Sequence, residues 1–193
     1  MIEAIQIKIN LEYTNPLIWR QILLPRDISF YKLHHSIQLA MDWTNSHLFE
    51  FKMEGYRVGE IFTDFDEMDE ADIIDAKKTK LTDLINNENE SLNYTYDFGD
   101  SWDHTIIFEK IVMLEDDHQM PFCIAGALKC PPEDCGGIPG FYNFLNILSD
   151  KHHEEYKETK IWAGGKFNVN EFDLLKINKQ LKKIDKYIKS IDK

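Results

Sequence analysis

Three aspartates and a histidine crowd one short stretch of this chain, Tyr94-Thr95-Tyr96-Asp97-Phe98-Gly99-Asp100-Ser101-Trp102-Asp103-His104. Carboxylate oxygens and an imidazole nitrogen can hold a divalent cation or perform general acid/base work. Alternating aromatic and polar residues around Gly99 predict a β-hairpin. A three-residue loop over residues 99–101 pairs Phe98 with Trp102, Tyr96 with His104 and Tyr94 with Ile106, which gathers one aromatic face. In that register Asp97 stands opposite Asp103, and two facing carboxylates call for a cation, a basic side chain or a raised pKa. Asp97, Asp100, Asp103 and His104 are therefore the candidate metal ligands. The simpler competing reading is a turn whose carboxylates cap backbone amides, with His104 packed among aromatic rings. Asp97-Phe98-Gly99 also occurs in protein kinases, but no Gly-rich loop, strand lysine or His-Arg-Asp loop accompanies it here.

A second concentration of chemistry is Cys130-Pro131-Pro132-Glu133-Asp134-Cys135-Gly136-Gly137. Cys123, Cys130 and Cys135 are spaced by six and four residues, without the Cys-x2-Cys pairs of structural zinc sites, and read as free thiols. Asp134 beside Cys135 disfavours a thiolate nucleophile. Residues 136–140 could cradle an anion on free amides but have no adjacent lysine. His152-His153-Glu154-Glu155 lacks the i, i+4 histidine pair of helical zinc sites, and no Gly-x-Ser-x-Gly elbow occurs. No cofactor is evident beyond a possible divalent metal.

These groups must be positioned by secondary structure. Ile5, Ile7, Ile9, Leu11 and Tyr13 alternate, and with residues 18–24 beyond Asn15-Pro16 they predict a hairpin. Ser29 is a suitable N-cap for a helix carrying Phe30, Leu33, Ile37, Ala40 and Met41, ending near Asp42-Trp43. Residues 47–53 and 56–62 read as strands turning at Glu54-Gly55, and 81–85 as a helical turn. The composition of residues 123–140 argues against regular structure. Helical patterns follow over residues 141–148, 152–162 and from about 171, the last with a stripe of Leu174, Ile177, Leu181, Ile184 and Ile188. The expectation is an α+β fold: one domain over residues 1–193, with a mainly antiparallel sheet built from hairpins, one early helix and a C-terminal group of helices packed on it.

The chain has 193 residues with 43% apolar, 12% aromatic and 29% charged content, enough for a sizeable core and unlike a disordered chain. Its formal charge of −12 opposes broad contact with nucleic acid or an anionic membrane. Residues 54–75 carry nine acids against Arg57, and residues 176–193 carry seven lysines against two aspartates. Both runs read as solvated surface. No stretch is apolar enough for a membrane span or an export signal, so a cytoplasmic location is expected.

Trp19-Arg20, Leu33-His34, Ile37-Gln38, Ala40-Met41-Asp42-Trp43, His47-Leu48-Phe49-Glu50-Phe51, the 94–104 stretch, Glu109 and the 130–137 segment, in this order, resemble the plasmid pRiA4b ORF-3-like family. That family is also labelled insertion-element passenger TnpR, which implies an association with mobile elements. The resemblance runs from about residue 5 to 181 and implies a compact α+β domain with no established activity. A recombinase role does not carry over, since the chain lacks a nucleophilic serine among arginines and a basic DNA-binding portion. The residues that match the family pattern, Arg20, His34, Trp43, His47, Tyr96, Asp97, Asp100, Trp102, His104, Glu133 and Asp134, are the candidate binding residues. The expected function is an accessory module that binds a small molecule or a protein in a cleft near the 94–104 hairpin and the 130–137 loop. The alternative is a divalent-metal-dependent hydrolase using Asp97, Asp100, Asp103 and His104.

Overall fold

The computed structural model describes residues 1–61, 73–85, 87–115 and 119–192. In chain order the elements are β1 (Ile2–Leu11), β2 (Ile18–Pro25), α1 (Phe30–Met41), β3 (Phe49–Met53), β4 (Tyr56–Gly59), β5 (Ile73–Asp75), α2 (Leu81–Leu84), β6 (Ser91–Tyr96), β7 (Trp102–Leu114), β8 (Phe122–Ala127), α3 (Gly137–Ser149), α4 (Tyr156–Trp162), α5 (Leu174–Leu181) and α6 (Ile184–Ile191). The strands form one sheet in the order β5-β4-β3-β6-β7-β1-β2-β8. Every pairing is antiparallel except β4 with β5. The fold is therefore α+β.

Alternation places Ile5, Ile7, Ile9 and Leu11 of β1 on the buried face, as the period-two pattern requires. α1 lies across that face. Ser29 caps it by accepting the Lys32 N–H at 3.2 Å, and Asp42 ends it in the left-handed region at φ 66°. Phe30 meets Phe51 of the sheet edge-on at 5.1 Å, while His35, on the other side, meets Tyr187 of α6 at 5.7 Å. Packed between sheet and helices, α1 is buried along nearly its whole length. Its two histidines are therefore core groups. Burial lowers His34 well below the ordinary imidazole value and His35 to about 4, so both are neutral at neutral pH.

Several elements differ from the sequence expectation. Residues 122–127 form an edge strand despite their Cys/Gly/Pro-rich surroundings, because β2 offers them an unpaired backbone edge. A Cβ on Gly126 would lie 2.5 Å from the Phe172 ring, so only glycine admits this strand beneath that side chain. The helix expected at residue 141 begins at Gly137, and the one expected at 152 begins at Tyr156. The last helix breaks at Lys182-Lys183 into α5 and α6, which lets Leu181 and Ile184 both turn inward. The third strand starts at Phe49, leaving His47 in the preceding loop. The fourth ends at Gly59, and the part of the acidic run over residues 62–72 lies outside the described residues.

Candidate functional site

The hairpin register differs from the expected one. Tyr96 pairs with Trp102, Thr95 with Asp103 and Tyr94 with His104, so the turn spans residues 97–101. The even-numbered side chains still share the buried face, because pairing slipped without a change of parity. Phe98, by contrast, leaves that face and is exposed. Asp97 and Asp103 are not neighbours across the strands. Asp103 instead accepts the Thr95 hydroxyl at 2.7 Å, so the like-charge opposition is absent. The longer turn is possible because Asp97 and Ser101 adopt left-handed backbone, at φ 57° and 52°. Asp97 Oδ1 closes it by accepting the N–H groups of Gly99 at 2.9 Å and Asp100 at 3.3 Å.

Beneath this turn lies an aromatic floor. Trp43 stacks on Tyr96 at 5.1 Å, tilts against Trp102 at 5.8 Å and donates its indole N–H to the Pro131 carbonyl at 2.9 Å. Tyr96 donates its hydroxyl to Glu133 Oε1 at 2.5 Å and accepts the Ser46 N–H at 2.9 Å. Burial, then Glu133, pushes the Tyr96 phenol well up, so it stays protonated and donates. Glu133 Oε2 accepts both the N–H and the hydroxyl of Thr44. Asp100 Oδ2 accepts the Gly136 N–H at 3.0 Å. These bonds lock the 130–137 loop onto the hairpin turn. At the outer edge His47 Nε2 lies 2.8 Å from Asp134 Oδ1 and 3.5 Å from Asp97 Oδ2.

The junction thus gathers Trp43, His47, Tyr96, Asp97, Asp100, Trp102, Glu133 and Asp134 from three stretches of chain. Of the proposed metal ligands, Asp97 and Asp100 are at the junction, but Asp103 and His104 are directed elsewhere. His104 is buried under the sheet face with Nδ1 3.3 Å from the Tyr94 carbonyl, and burial lowers it to about 4. His34 lies deeper, between the Tyr94 hydroxyl at 2.8 Å and Asn45 at 2.5 Å, and stacks on Phe49 at 3.6 Å. Arg20 is on β2, where its guanidinium donates to the backbone carbonyls of Ala40, Ala127 and Leu128. Arg20, His34 and His104 are therefore buried framework groups without a surface at the junction.

Two glycines set the approach of loop to turn. A Cβ on Gly137 would lie 2.4 Å from the Asp100 carbonyl oxygen, and one on Gly140 would lie 1.9 Å from that of Cys135. Gly137 also has φ +66°, whereas Gly164, at φ +74°, faces open space. Gly137→Ala is expected to lower stability by about 2–3 kcal/mol and Gly164→Ala by about 1 kcal/mol, because only the first adds a backbone collision to the left-handed strain. Urea unfolding of both variants measures the difference; equal losses would refute the close-approach argument.

The three cysteines are free. Cys130 is buried against Met41 and receives an Arg20 N–H, and Cys123 is buried in β8. Burial raises Cys123 to about 11, and burial together with the Asp100 charge raises Cys135 to about 12, so none is a ready nucleophile. On the other side of the 130–137 loop is a cavity of about 360 Å3, bounded by Pro131, Pro132 and Asp134 and faced by Trp162 and Phe167. Sequence reading missed Trp162 and Phe167 as cavity residues, and missed Thr44 and Ser46. The only signal for the latter pair is the polar run 44–47 immediately after the helix end.

Among the described residues, an eight-stranded, mostly antiparallel sheet with a helix across it and a short loop pinned to the turn of a central hairpin defines an α+β protein. The chain belongs to the plasmid pRiA4b ORF-3-like protein family, whose model matches residues 3–176. It is 35% identical over 162 residues to the uncharacterized protein y4hQ of Sinorhizobium fredii, covering 83% of this chain and 81% of that one. It is also similar to the crystal structure of MM3350, a protein of unknown function from Methanosarcina mazei Go1. That match has a TM-score of 0.81 and 34% identity, and covers 90% of this chain and 97% of the other. Among the described residues no helix is long and apolar enough to cross a membrane.

Proposed function

We propose that this protein is a binding module for a small molecule, with the ligand held in the cavity beside the 130–137 loop. The observation that carries the reading is the two-sidedness of that loop. One side is fixed to the hairpin through Glu133–Tyr96 and Asp100–Gly136, and the other walls a cavity of small-ligand size. A loop held by a buried tyrosine and two partly buried carboxylates is preorganised, which reduces the ordering cost of binding. Half-exposed Trp162 offers a flat surface for an apolar or aromatic part of the ligand, and Lys129, Asp42 and Asp134 supply a polar rim. The same proposal includes a cytoplasmic location, supported by the three free thiols. It also treats the chain as one domain, supported by a hydrophobic cluster that reaches from Ile5 to Ile184.

Thermal unfolding in the presence of a metabolite panel tests the reading. A ligand at a hundredfold excess over its Kd adds about 2.7 kcal/mol, roughly 5–10 °C for a chain of this size. The shift is expected in the wild type and lost in Trp162→Ala, whose side chain is half-exposed and not needed for the core. A panel without any shift, or a shift equal in Trp162→Ala, would count against the cavity.

A further inference from the structure

We propose that His47, Asp97 and Asp134 form a binding site for a divalent first-row transition-metal ion at the outer edge of the loop–hairpin junction. The three residues come from three segments, and one ligand atom from each lies within 4.8 Å of the other two. Nε2 of His47 is 2.8 Å from Asp134 Oδ1 and 3.5 Å from Asp97 Oδ2. Ligand atoms held 2.0–2.1 Å from a tetrahedral ion stand about 3.4 Å apart, so small side-chain adjustments suffice.

Proton counting is the second argument. Asp97 is 7% exposed, a carboxylate largely withdrawn from water. Its Oδ1 is engaged by the Gly99 and Asp100 N–H groups, which leaves Oδ2 directed at His47. A histidine Nε2 carries at most one proton and so cannot donate to both carboxylates, of which Asp134 Oδ1 is the nearer. Asp97 Oδ2 is thus a largely buried carboxylate oxygen 3.5 Å from a nitrogen whose single hydrogen can serve only one of the two carboxylates. A cation between the three atoms satisfies both carboxylates and takes the imidazole lone pair, which one proton cannot do.

The frame around the three groups is already built. The Asp97 N–H donates to the Leu48 carbonyl at 2.9 Å, which ties the turn to the segment carrying His47. Asp134 is in left-handed backbone at φ 59°, two residues before the Gly136 N–H that is fixed to Asp100. The Asp97 carboxylate is oriented from behind by the turn amides on its Oδ1, as ligands in metal sites commonly are, and the fixed loop backbone places Asp134 beside it. One nitrogen and two oxygens, with the remaining positions open towards solvent, suit Zn2+ or Mn2+ better than a soft thiophilic ion. Asp134 also lines the cavity, but His47 and Asp97 do not, so ion binding that is lost in His47→Ala while a ligand-induced thermal shift is kept separates this site from the small-molecule proposal.

The test is calorimetric titration of Zn2+ and Mn2+ into the untagged full chain, stripped beforehand with chelator and dialysed free of it. One ion per chain is expected. His47→Ala and Asp134→Asn, both at accessible side chains, should weaken binding about tenfold or more. Asp97→Asn should do the same while keeping an oxygen to accept the turn amides. His152→Ala, at an exposed histidine outside the triad, should bind as the wild type does. Circular dichroism of each variant establishes that it is folded. Absence of binding for both ions, or wild-type affinity in folded His47→Ala, would overturn the site and leave an ordinary hydrogen-bonded His–Asp cluster.

Discussion

Replacing Arg20 with methionine is expected to cost about 4 kcal/mol, a large part of the 5–15 kcal/mol that separates most domains from their unfolded state. Arg20 is 3% exposed and has no carboxylate partner among the described residues. Its donors instead reach the carbonyls of Ala40 at 3.0 Å, Ala127 at 2.9 Å and Leu128 at 2.8 Å, as well as Trp19 at 2.7 Å. The guanidinium therefore joins β2, the last turn of α1 and the end of β8. Its positive charge meets the negative end of the α1 dipole at Ala40, and its plane lies 4.9 Å from the Phe172 ring. Methionine preserves much of the stem volume but leaves several buried carbonyls without a donor, each costing about 1–3 kcal/mol. Arg20→Lys keeps the charge and loses the planar fork, so its loss should be intermediate. Chemical denaturation with an unchanged slope is the measurement. A loss under 1 kcal/mol in Arg20→Met would show that the carbonyls find other partners.

Acid is expected to destabilise the protein well above the pH at which its carboxylates titrate. His35 and His104 are each lowered to about 4 by burial, and His34 is lowered well below its ordinary value by burial and by its neighbour His35. In the unfolded chain these imidazoles titrate near 6.5. Between the two values the unfolded state binds more protons than the folded one, so stability is full above about pH 6.5 and is lost as pH falls towards 4. At pH 5, His35 and His104 each remove about 2 kcal/mol. Asp75 and Asp192, whose pKa values are lowered, act only below this window, because an unfolded aspartate titrates near 3.9. Unfolding free energies at pH 7.5 and pH 5 measure the loss. His104→Phe should flatten the dependence by up to about 1.4 kcal/mol per pH unit. An unchanged slope in that variant would mean that His104 is not held neutral by the fold.

The 94–104 hairpin shows how far local pattern carries. Alternation was enough to place Tyr94, Tyr96, Trp102 and His104 on one buried face, since side-chain parity is a local property of a strand. Register was not legible, because it depends on whether Asp97 and Ser101 adopt left-handed backbone, a choice open to few residues but not dictated by their type. β8 was missed for a related reason. Its sequence has weak strand preference, and it is a strand because β2 presents an edge and Phe172 closes over Gly126.

The sequence by itself determined the α+β class, the hairpins, the capped helix over the sheet and the family to which the chain belongs. These follow from periodicity, caps and ordered motifs, all of which act over a few neighbouring residues. Only the tertiary structure decided which chemical groups meet. It separated Asp103 and His104 from Asp97, withdrew Arg20 and His34 into the framework, and brought His47 and Asp134 to Asp97 across long intervals of chain. Sheet order and loop docking set such encounters, and they are fixed by the packing of the whole core.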